Sequence, residues 1–189
     1  MAFKDFFKGF YYGLTKNISK KEAVSVDFIA TSLVEDLKPV KSMMAGLHEI
    51  EGLHEITASN IKQVHQELSM AYLFALTYSI ELALGGHDKT EEILDKVHAI
   101  AYSCLEAEQD NFDGLSYEKT LGERYMEFRD VMQNATASNV CFLLGKVISR
   151  HIWPEDFEDK VGFTAATGIW LVSVMNATKK SLGELRKYL

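Results

Sequence analysis

Apolar side chains recur at intervals of three and four residues along almost the whole chain, and no segment alternates with period two. This spacing places them on one face of an α-helix, whereas half-buried strands require alternation. The pattern therefore predicts an all-α fold, a single-domain bundle of about six helices, some of them long or kinked. The predicted core includes Leu47, Leu68, Tyr72, Leu76, Val97, Phe128, Phe142, Ile169 and Trp170.

The length of the chain and the lack of a linker-like sequence favour one domain. A chain of 189 residues with 47% hydrophobic residues can bury a continuous core. Its two prolines are Pro39 and Pro154, and no stretch rich in proline, glycine or serine separates the helical patterns. We therefore expect residues 1–189 to form a single helical domain.

Residues 1–16 are predicted to form an amphipathic N-terminal helix with a strongly aromatic face. Lys4 and Lys8 lie opposite this face. The apolar face consists of Phe3, Phe6, Phe7, Phe10, Tyr11 and Leu14. We expect it to dock on the helical body or across a dimer, because burying several aromatic side chains stabilises a fold by several kcal/mol. Attachment to a membrane surface is the alternative.

The middle of the chain leaves one alternative open. An apolar stripe stays in helical phase from Val40 to Leu84, which is compatible with one very long helix. A break at Thr57–Asn60 is equally compatible with the pattern. Within this region Ala71, Ala75, Ser79 and Ala83 form a ridge of small side chains, where a second helix can approach closely.

The C-terminal half is predicted to contain three helices. The first buries Val97 and ends before the turn-like residues 110–114. The second runs from Ser116 to Trp153, and the polar residues 134–139 are expected to bend it. The last begins near Asp156 and continues towards Leu189.

Charge is distributed unevenly and bears on the choice of partner. The net charge is -7, while residues 1–21 carry five lysines and one aspartate, which leaves -11 on the remaining residues. An acidic body repels the phosphates of nucleic acid. The sequence therefore favours a protein partner with a basic surface over a nucleic acid.

Cysteine content and hydropathy favour a cytoplasmic location. Cys104 and Cys141 lie inside apolar helical patterns without a neighbouring cysteine, so we expect buried, inert thiols and no disulfide framework. The longest apolar stretches, residues 70–84 and 163–177, are shorter than the roughly 20 residues that span a bilayer. Neither stretch is therefore expected to cross a membrane.

Two acid–histidine pairs invite comparison with metal sites in helical bundles. Glu51 and His54 are separated by three positions, as are Asp95 and His98. The helical phase places Asp95 on the solvent side, about 140° from the buried arc, so the second pair cannot point inward. We therefore expect no metal and no other cofactor.

A few polar or aromatic side chains remain as candidate functional residues. His54 and His65 share an apolar stripe, where most histidines are hydrogen-bonded core residues. Glu108 lies near a helix end, and Trp153 precedes a proline close to His151; an exposed terminus and a core cap are the simpler interpretations. The candidates are His54, His65, Glu51, Glu108 and Trp153.

No standard catalytic motif is present in the sequence. Gly145-Lys146 lacks the earlier glycine of a phosphate-binding loop, and His48-Glu49 lacks the second histidine of a zincin. We assign no catalytic residue and favour a non-enzymatic protein. The sequence is typical of a protein-binding helical module of the adaptor, inhibitor or immunity type, monomeric or homodimeric. The alternatives are a helical-bundle metal protein or enzyme with inward histidine and carboxylate residues, and a peripheral membrane protein attached through its N-terminal helix.

Overall fold

A computed structural model of the chain describes residues 24–48, 56–57, 59–108 and 112–189. Throughout these ranges the regular elements are helical and no strand occurs, which confirms the predicted all-α bundle. The α-helices are α1 Val26–Val34, α2 Lys38–His48, α3 Ile61–Leu84, α4 Thr90–Glu108, α5 Gly114–Asn134, α6 Val140–Ile152 and α7 Val161–Leu185. Single 3₁₀ turns occupy Glu35–Leu37, Phe157–Asp159 and Arg186–Tyr188.

The described residues form two compact units. The first unit contains the described residues within 1–36, 76–110 and 174–189, and the second contains those within 37–75 and 111–173. Helices α3 and α7 each contribute one part of their length to either unit.

In the first unit, α1 packs against α4. Ile29 and Leu33 of α1 and Val97 of α4 are fully buried, as the apolar spacing requires. The part of α3 that carries the small-residue ridge lies against α7, because the hydroxyl of Ser79 donates a hydrogen bond to the backbone carbonyl of Met175 at 3.1 Å. This contact confirms the close helix approach that the ridge predicts.

In the second unit, aromatic rings form the core. The Phe74 ring stacks on Phe128 at 5.0 Å between centroids and meets the edge of Tyr125 at 5.6 Å. Tyr72 stacks on Trp170 at 6.2 Å. Offset and edge-on ring pairs of this kind add to the stabilisation that burial alone provides.

Two helices of the second unit are preceded by the same four-residue sequence, Thr-Ala-Ser-Asn. Before α3, the side-chain oxygen of Asn60 accepts a hydrogen bond from the Thr57 N–H at 2.9 Å. Before α6, Asn139 accepts from the Thr136 N–H at 2.8 Å. Each asparagine thus takes the role that glutamate or glutamine has in a capping box. Residues 57–60 and 136–139 therefore start new helices, so the region from Val40 to Leu84 contains a break.

Several predicted boundaries require correction. Helix α5 begins at Gly114 and not at Ser116, because the Asp113 carboxylate accepts hydrogen bonds from the N–H groups of Leu115 and Ser116. Residues 135–139 separate two helices and do not merely bend one. The last helix begins at Val161, after a 3₁₀ turn.

The predicted core is correct for seven of its nine residues. Leu47, Leu68, Tyr72, Leu76, Val97, Phe128 and Trp170 are at most 1% exposed. The assignment of Phe142 and Ile169 to the core is wrong, since their exposed fractions are 43% and 53%. The expectation of buried cysteines is also wrong, because Cys104 and Cys141 are half-buried; neither forms a disulfide.

Candidate functional site

A buried ion pair joins α3 and α5 in the second unit. The guanidinium of Arg124 donates two hydrogen bonds to the carboxylate of Glu67, at 2.9 Å from Nε and 3.0 Å from Nη2. Their side chains are only 11% and 6% exposed. Two parallel hydrogen bonds satisfy both groups, which is the arrangement that makes buried charges tolerable.

A second carboxylate extends this network to α6. The Glu127 carboxylate lies 3.5 Å from Nη1 of Arg124, accepts a hydrogen bond from Arg150, and lies 2.9 Å from Nε2 of His151. Burial by itself would raise the pKa of Glu127, but the hydrogen bonds and charges of His151 and Arg150 outweigh burial and lower this pKa. The Glu127 side chain is therefore held in its ionised form.

The network borders a shallow open cleft between α5 and α6. Its volume is about 200 Å³. Its lining combines apolar side chains with charges of both signs; the lining residues are Glu127, Asp130, Val131, Leu143, Lys146, Val147 and Arg150. Because Arg150 and Glu127 already pair with each other, the cleft offers few free polar groups for a small ligand.

Helices α6 and α7 cross at two glycines. A Cβ atom on Gly145 would lie 1.8 Å from the carbonyl oxygen of Thr164, and a Cβ atom on Gly168 would lie 1.7 Å from that of Cys141. Neither position has room for a side chain. Next to the crossing, the hydroxyls of Ser149 and Thr164 form a buried hydrogen bond at 2.7 Å.

The same contacts fix the direction of the two helices. From Cys141 to Ser149 along α6, the contacted residue on α7 moves backwards from Gly168 to Thr164, so the helices are antiparallel. In an antiparallel pair, the residues that follow the contact positions turn to the same side. Phe142 and Ile169 are these residues. They therefore project from one side of the α6/α7 pair into solvent.

Further apolar residues continue this surface along α7. Val161 is 56% exposed, and Ala165 and Val172 are half-buried. Steps of four and three residues place them on one side of the helix together with Ile169. We call Phe142, Val161, Ala165, Ile169 and Val172 the apolar face.

The chain immediately before α7 is acidic. Residues 155–159, which we call the acidic loop, contain four exposed carboxylates: Glu155, Asp156, Glu158 and Asp159. Two cation–π contacts hold the loop in place, one to Phe157 within it and one between Trp153 and Lys160, which flank it. The ammonium of Lys146 lies 5.2 Å from the centre of the Phe157 ring, and that of Lys160 lies 5.6 Å from the Trp153 ring. Negative charge is thus fixed at the beginning of the apolar face.

Three of the candidate functional residues predicted from the sequence lie within the described ranges: His65, Glu108 and Trp153. They are far from one another in the sequence. Glu108 is exposed at the last position of α4. Trp153 is the C-cap residue after α6, and its ring packs edge-on against Phe163 at 4.9 Å between centroids, as a core cap would. His65 is half-buried on α3, where its backbone carbonyl accepts a hydrogen bond from Ser69 at 2.8 Å.

The other candidates lie outside the described residues. These are Glu51, His54 and the N-terminal face of Phe3, Phe6, Phe7, Phe10, Tyr11 and Leu14. Asp95 is exposed, as its helical phase predicts. Within the described ranges, no three histidine, cysteine, aspartate or glutamate side chains come together in a way that could hold a metal ion.

Two described helices are long and apolar enough to cross a membrane. They are Ile61–Leu84 and the stretch Val161–Tyr188. The prediction that neither apolar stretch is long enough to cross a membrane counted only unbroken apolar residues. The helices themselves are longer, with 24 residues in α3 and 25 in α7. The apolar window of α3 is 83% buried inside the protein, as in a core helix, whereas that of α7 is only 50% buried.

Sequence reasoning missed both the charged network and the apolar face. Glu67 lies one helical turn from Val64 and Ala71, and Arg124 lies one turn from Leu121 and Phe128; this shared phase with apolar residues is the signal that could have identified a buried pair. The small residues Cys141, Gly145 and Ser149, spaced four apart, could have indicated the helix crossing. No protein-family model, characterised protein or solved structure matches this chain.

Proposed function

We propose that this chain is a protein-binding helical module, whose apolar face and acidic loop together receive a partner with a basic, amphipathic surface. The observation that carries the proposal is the exposure of Phe142 and Ile169 side by side. Contiguous exposed apolar side chains on a folded protein are typical of interaction sites. Completing the burial of these two side chains would contribute about 1 kcal/mol each.

Charge supports a basic partner. The acidic loop borders the apolar face, and the chain as a whole carries a net charge of -7. Opposite charges around an apolar centre increase the association rate and select the partner. Exposed charges are screened over about 8 Å at physiological ionic strength, so association should weaken as salt is added.

The test is affinity capture from cells of the source organism with three forms of the tagged full-length chain. The first is the wild type, and the second carries Phe142→Ser and Ile169→Ser. The third carries Leu115→Ser and Met126→Ser as a matched control, since both residues are exposed apolar side chains of α5 outside the face. We expect a protein retained by the wild type and the control and lost by the face variant.

The captured protein then allows a quantitative measurement. Purified partner should bind less tightly as salt increases, and also after Glu155→Lys and Glu158→Lys in the acidic loop. A partner whose affinity ignores both salt and the Phe142 and Ile169 substitutions would refute the proposed site.

A membrane surface is the second candidate, because only half of the apolar window of α7 is buried inside the protein. Sedimentation with vesicles of neutral and anionic phospholipid distinguishes the two functions. Binding to vesicles that is lost after Phe142→Ser and Ile169→Ser would favour the membrane. We rank it second because the acidic loop beside the face would be repelled by anionic lipid.

A further inference from the structure

We infer that a second copy of this chain docks on the outer side of α5, so that two α5 helices lie antiparallel in a homodimer. The residues that carry the inference all belong to α5 of the second unit. Three of them, Leu115, Gly122 and Met126, form what we call the α5 stripe. The stripe shares no residue with the apolar face, so the inference goes beyond the proposed function and does not depend on it.

Two members of the α5 stripe are unusually exposed for apolar side chains. Leu115 and Met126 are 81% and 68% exposed, the highest values among the large apolar side chains of the described residues. At about 100° per residue they project from the same side of α5, roughly 20° apart. Side chains exposed to this degree contribute little to the core of a single chain, whereas a partner helix would bury both.

Gly122 lies between them on the same side of the helix. Nothing lies within 4 Å of a Cβ atom built at this position. A glycine inside a helix lowers its stability, and no atom of the same chain requires the absence of a side chain here. Gly145 and Gly168, in contrast, lie where the backbone of another helix comes close. A second helix that approaches the α5 stripe would give Gly122 the same role.

Charged side chains flank the α5 stripe in a pattern that fits antiparallel pairing. Glu118 and Arg129 lie on one flank, Lys119 and Asp130 lie on the other, and all four are exposed. When a two-fold axis is level with residue 124, each flank meets the same flank of the other copy. Glu118 then faces Arg129, and Lys119 faces Asp130, each pair occurring twice. Parallel helices would instead place each charge opposite an identical one, which is unfavourable.

The same register brings the apolar side chains of the stripe into contact. Met126 lies level with Gly122 of the other copy, where the missing side chain leaves room for it. Exposed ion pairs contribute little to affinity, but they fix the orientation and the register of an interface. A single pair of helices buries less surface than a standard interface. We therefore expect a dissociation constant of roughly 10–100 µM.

Analytical ultracentrifugation of the full-length protein over a range of concentrations measures the equilibrium between monomer and dimer. The wild type should dimerise, and Leu115→Ser with Met126→Ser should raise the dissociation constant at least about tenfold. The Phe142→Ser, Ile169→Ser variant is the control and should dimerise like the wild type. A wild type that stays monomeric, or dimers that withstand the stripe substitutions, would overturn the inference.

Reversing single charges tests the antiparallel orientation. Lys119→Glu alone or Asp130→Lys alone places like charges opposite each other, so each variant should dimerise less than the wild type at low ionic strength. An equimolar mixture of the two variants should form heterodimers, because every facing pair then again has opposite charges. Single variants that dimerise as well as the wild type would contradict the proposed register.

Photo-crosslinking locates the contact directly. A photoreactive phenylalanine analogue replaces Leu115, which lies level with Gln133 of the other copy in the antiparallel register. Crosslinked dimers should therefore join position 115 to the region around residue 133. Crosslinks from position 115 to the beginning of α5 in the other copy would show parallel pairing and overturn the inference.

The dimer and the proposed function can fail separately. If α5 pairs while no cellular protein depends on Phe142 and Ile169, the dimer holds and the proposed function fails. If a partner depends on Phe142 and Ile169 while ultracentrifugation finds only monomers, the dimer fails and the proposed function holds. Thermal unfolding of each variant should show that these exposed substitutions leave the fold intact.

Discussion

Helix α5 and helix α7 are attached to their neighbours by opposite means. Charged side chains join α5 to α3 and α6, through the Glu67–Arg124 pair and the contacts of Glu127. Backbone contact joins α7 to α6, at Gly145 and Gly168. The charged interface tolerates small shifts, because long side chains can follow them. The glycine crossing leaves no such freedom, so it fixes which residues of α6 and α7 face outwards.

Removing one member of the buried pair should have the largest effect. Arg124→Met leaves the Glu67 carboxylate buried without its partner, which costs about 3–5 kcal/mol of unfolding free energy. Urea denaturation measures this loss. The double variant Glu67→Leu, Arg124→Met should recover most of it, because well-packed apolar residues often replace a buried pair at little cost. Equal losses in the single and double variants would contradict this account.

A single methyl group should disrupt the glycine crossing. Gly145→Ala places a Cβ atom against the Thr164 backbone, which cannot move aside as a flexible side chain could, so we expect a loss of about 3 kcal/mol. Gly122→Ala on α5 is the control, since nothing lies within 4 Å of its added Cβ. That control should gain up to about 1 kcal/mol from helix propensity. A stable Gly145→Ala protein would show that the helices do not touch there.

The hydroxyl pair beside the crossing should contribute less. Ser149→Ala leaves the buried Thr164 hydroxyl without this partner, with an expected loss of about 1–2 kcal/mol. Replacing both, as Ser149→Ala and Thr164→Val, also removes the unsatisfied hydroxyl and should recover most of this loss. Thermal unfolding of four proteins, the wild type, Ser149→Ala, Thr164→Val and the double variant, measures these losses, and losses that simply add would mean that the two hydroxyls act independently.

The two interfaces also explain what the sequence could and could not predict. Periodicity identified the helical class and most core residues, such as Leu68 and Phe128, because hydropathy dominates where a helix is buried. Phe142 was wrongly assigned to the core because the helical phase of the preceding residues was extended through residues 135–139, which are not helical. Ile169 was misplaced because glycine, and not hydrophobicity, determines the contact side of α7.

The candidate site was less predictable than the fold. Glu67 and Arg124 are 57 positions apart, so nothing local in the sequence pairs them. The apolar face combines residues of two helices whose antiparallel crossing is visible only in the structure. Among the candidates chosen from sequence, Trp153 lies beside the acidic loop through its contact with Lys160, whereas Glu108 lies at the end of α4.

The smallest expected effect is a difference between the two interfaces in how their contribution to stability depends on pH. Because the folded protein lowers the pKa of Glu127, its ionised carboxylate contributes stability above the unfolded pKa of roughly 4.3, and this contribution disappears as pH falls through the lowered value. Glu127 is partly exposed, so solvent screening limits the contribution to less than about 1 kcal/mol. The difference in stability between the wild type and Glu127→Gln should therefore be full at pH 6 and vanish in strong acid. The destabilisation by Gly145→Ala should remain constant over the same range, since the three atoms nearest to the added Cβ all belong to the backbone of Thr164 and Gly168, which does not titrate. Chemical denaturation at a series of pH values measures both. A Glu127→Gln difference that persists unchanged in acid would show that its carboxylate charge does not stabilise the contact between α5 and α6.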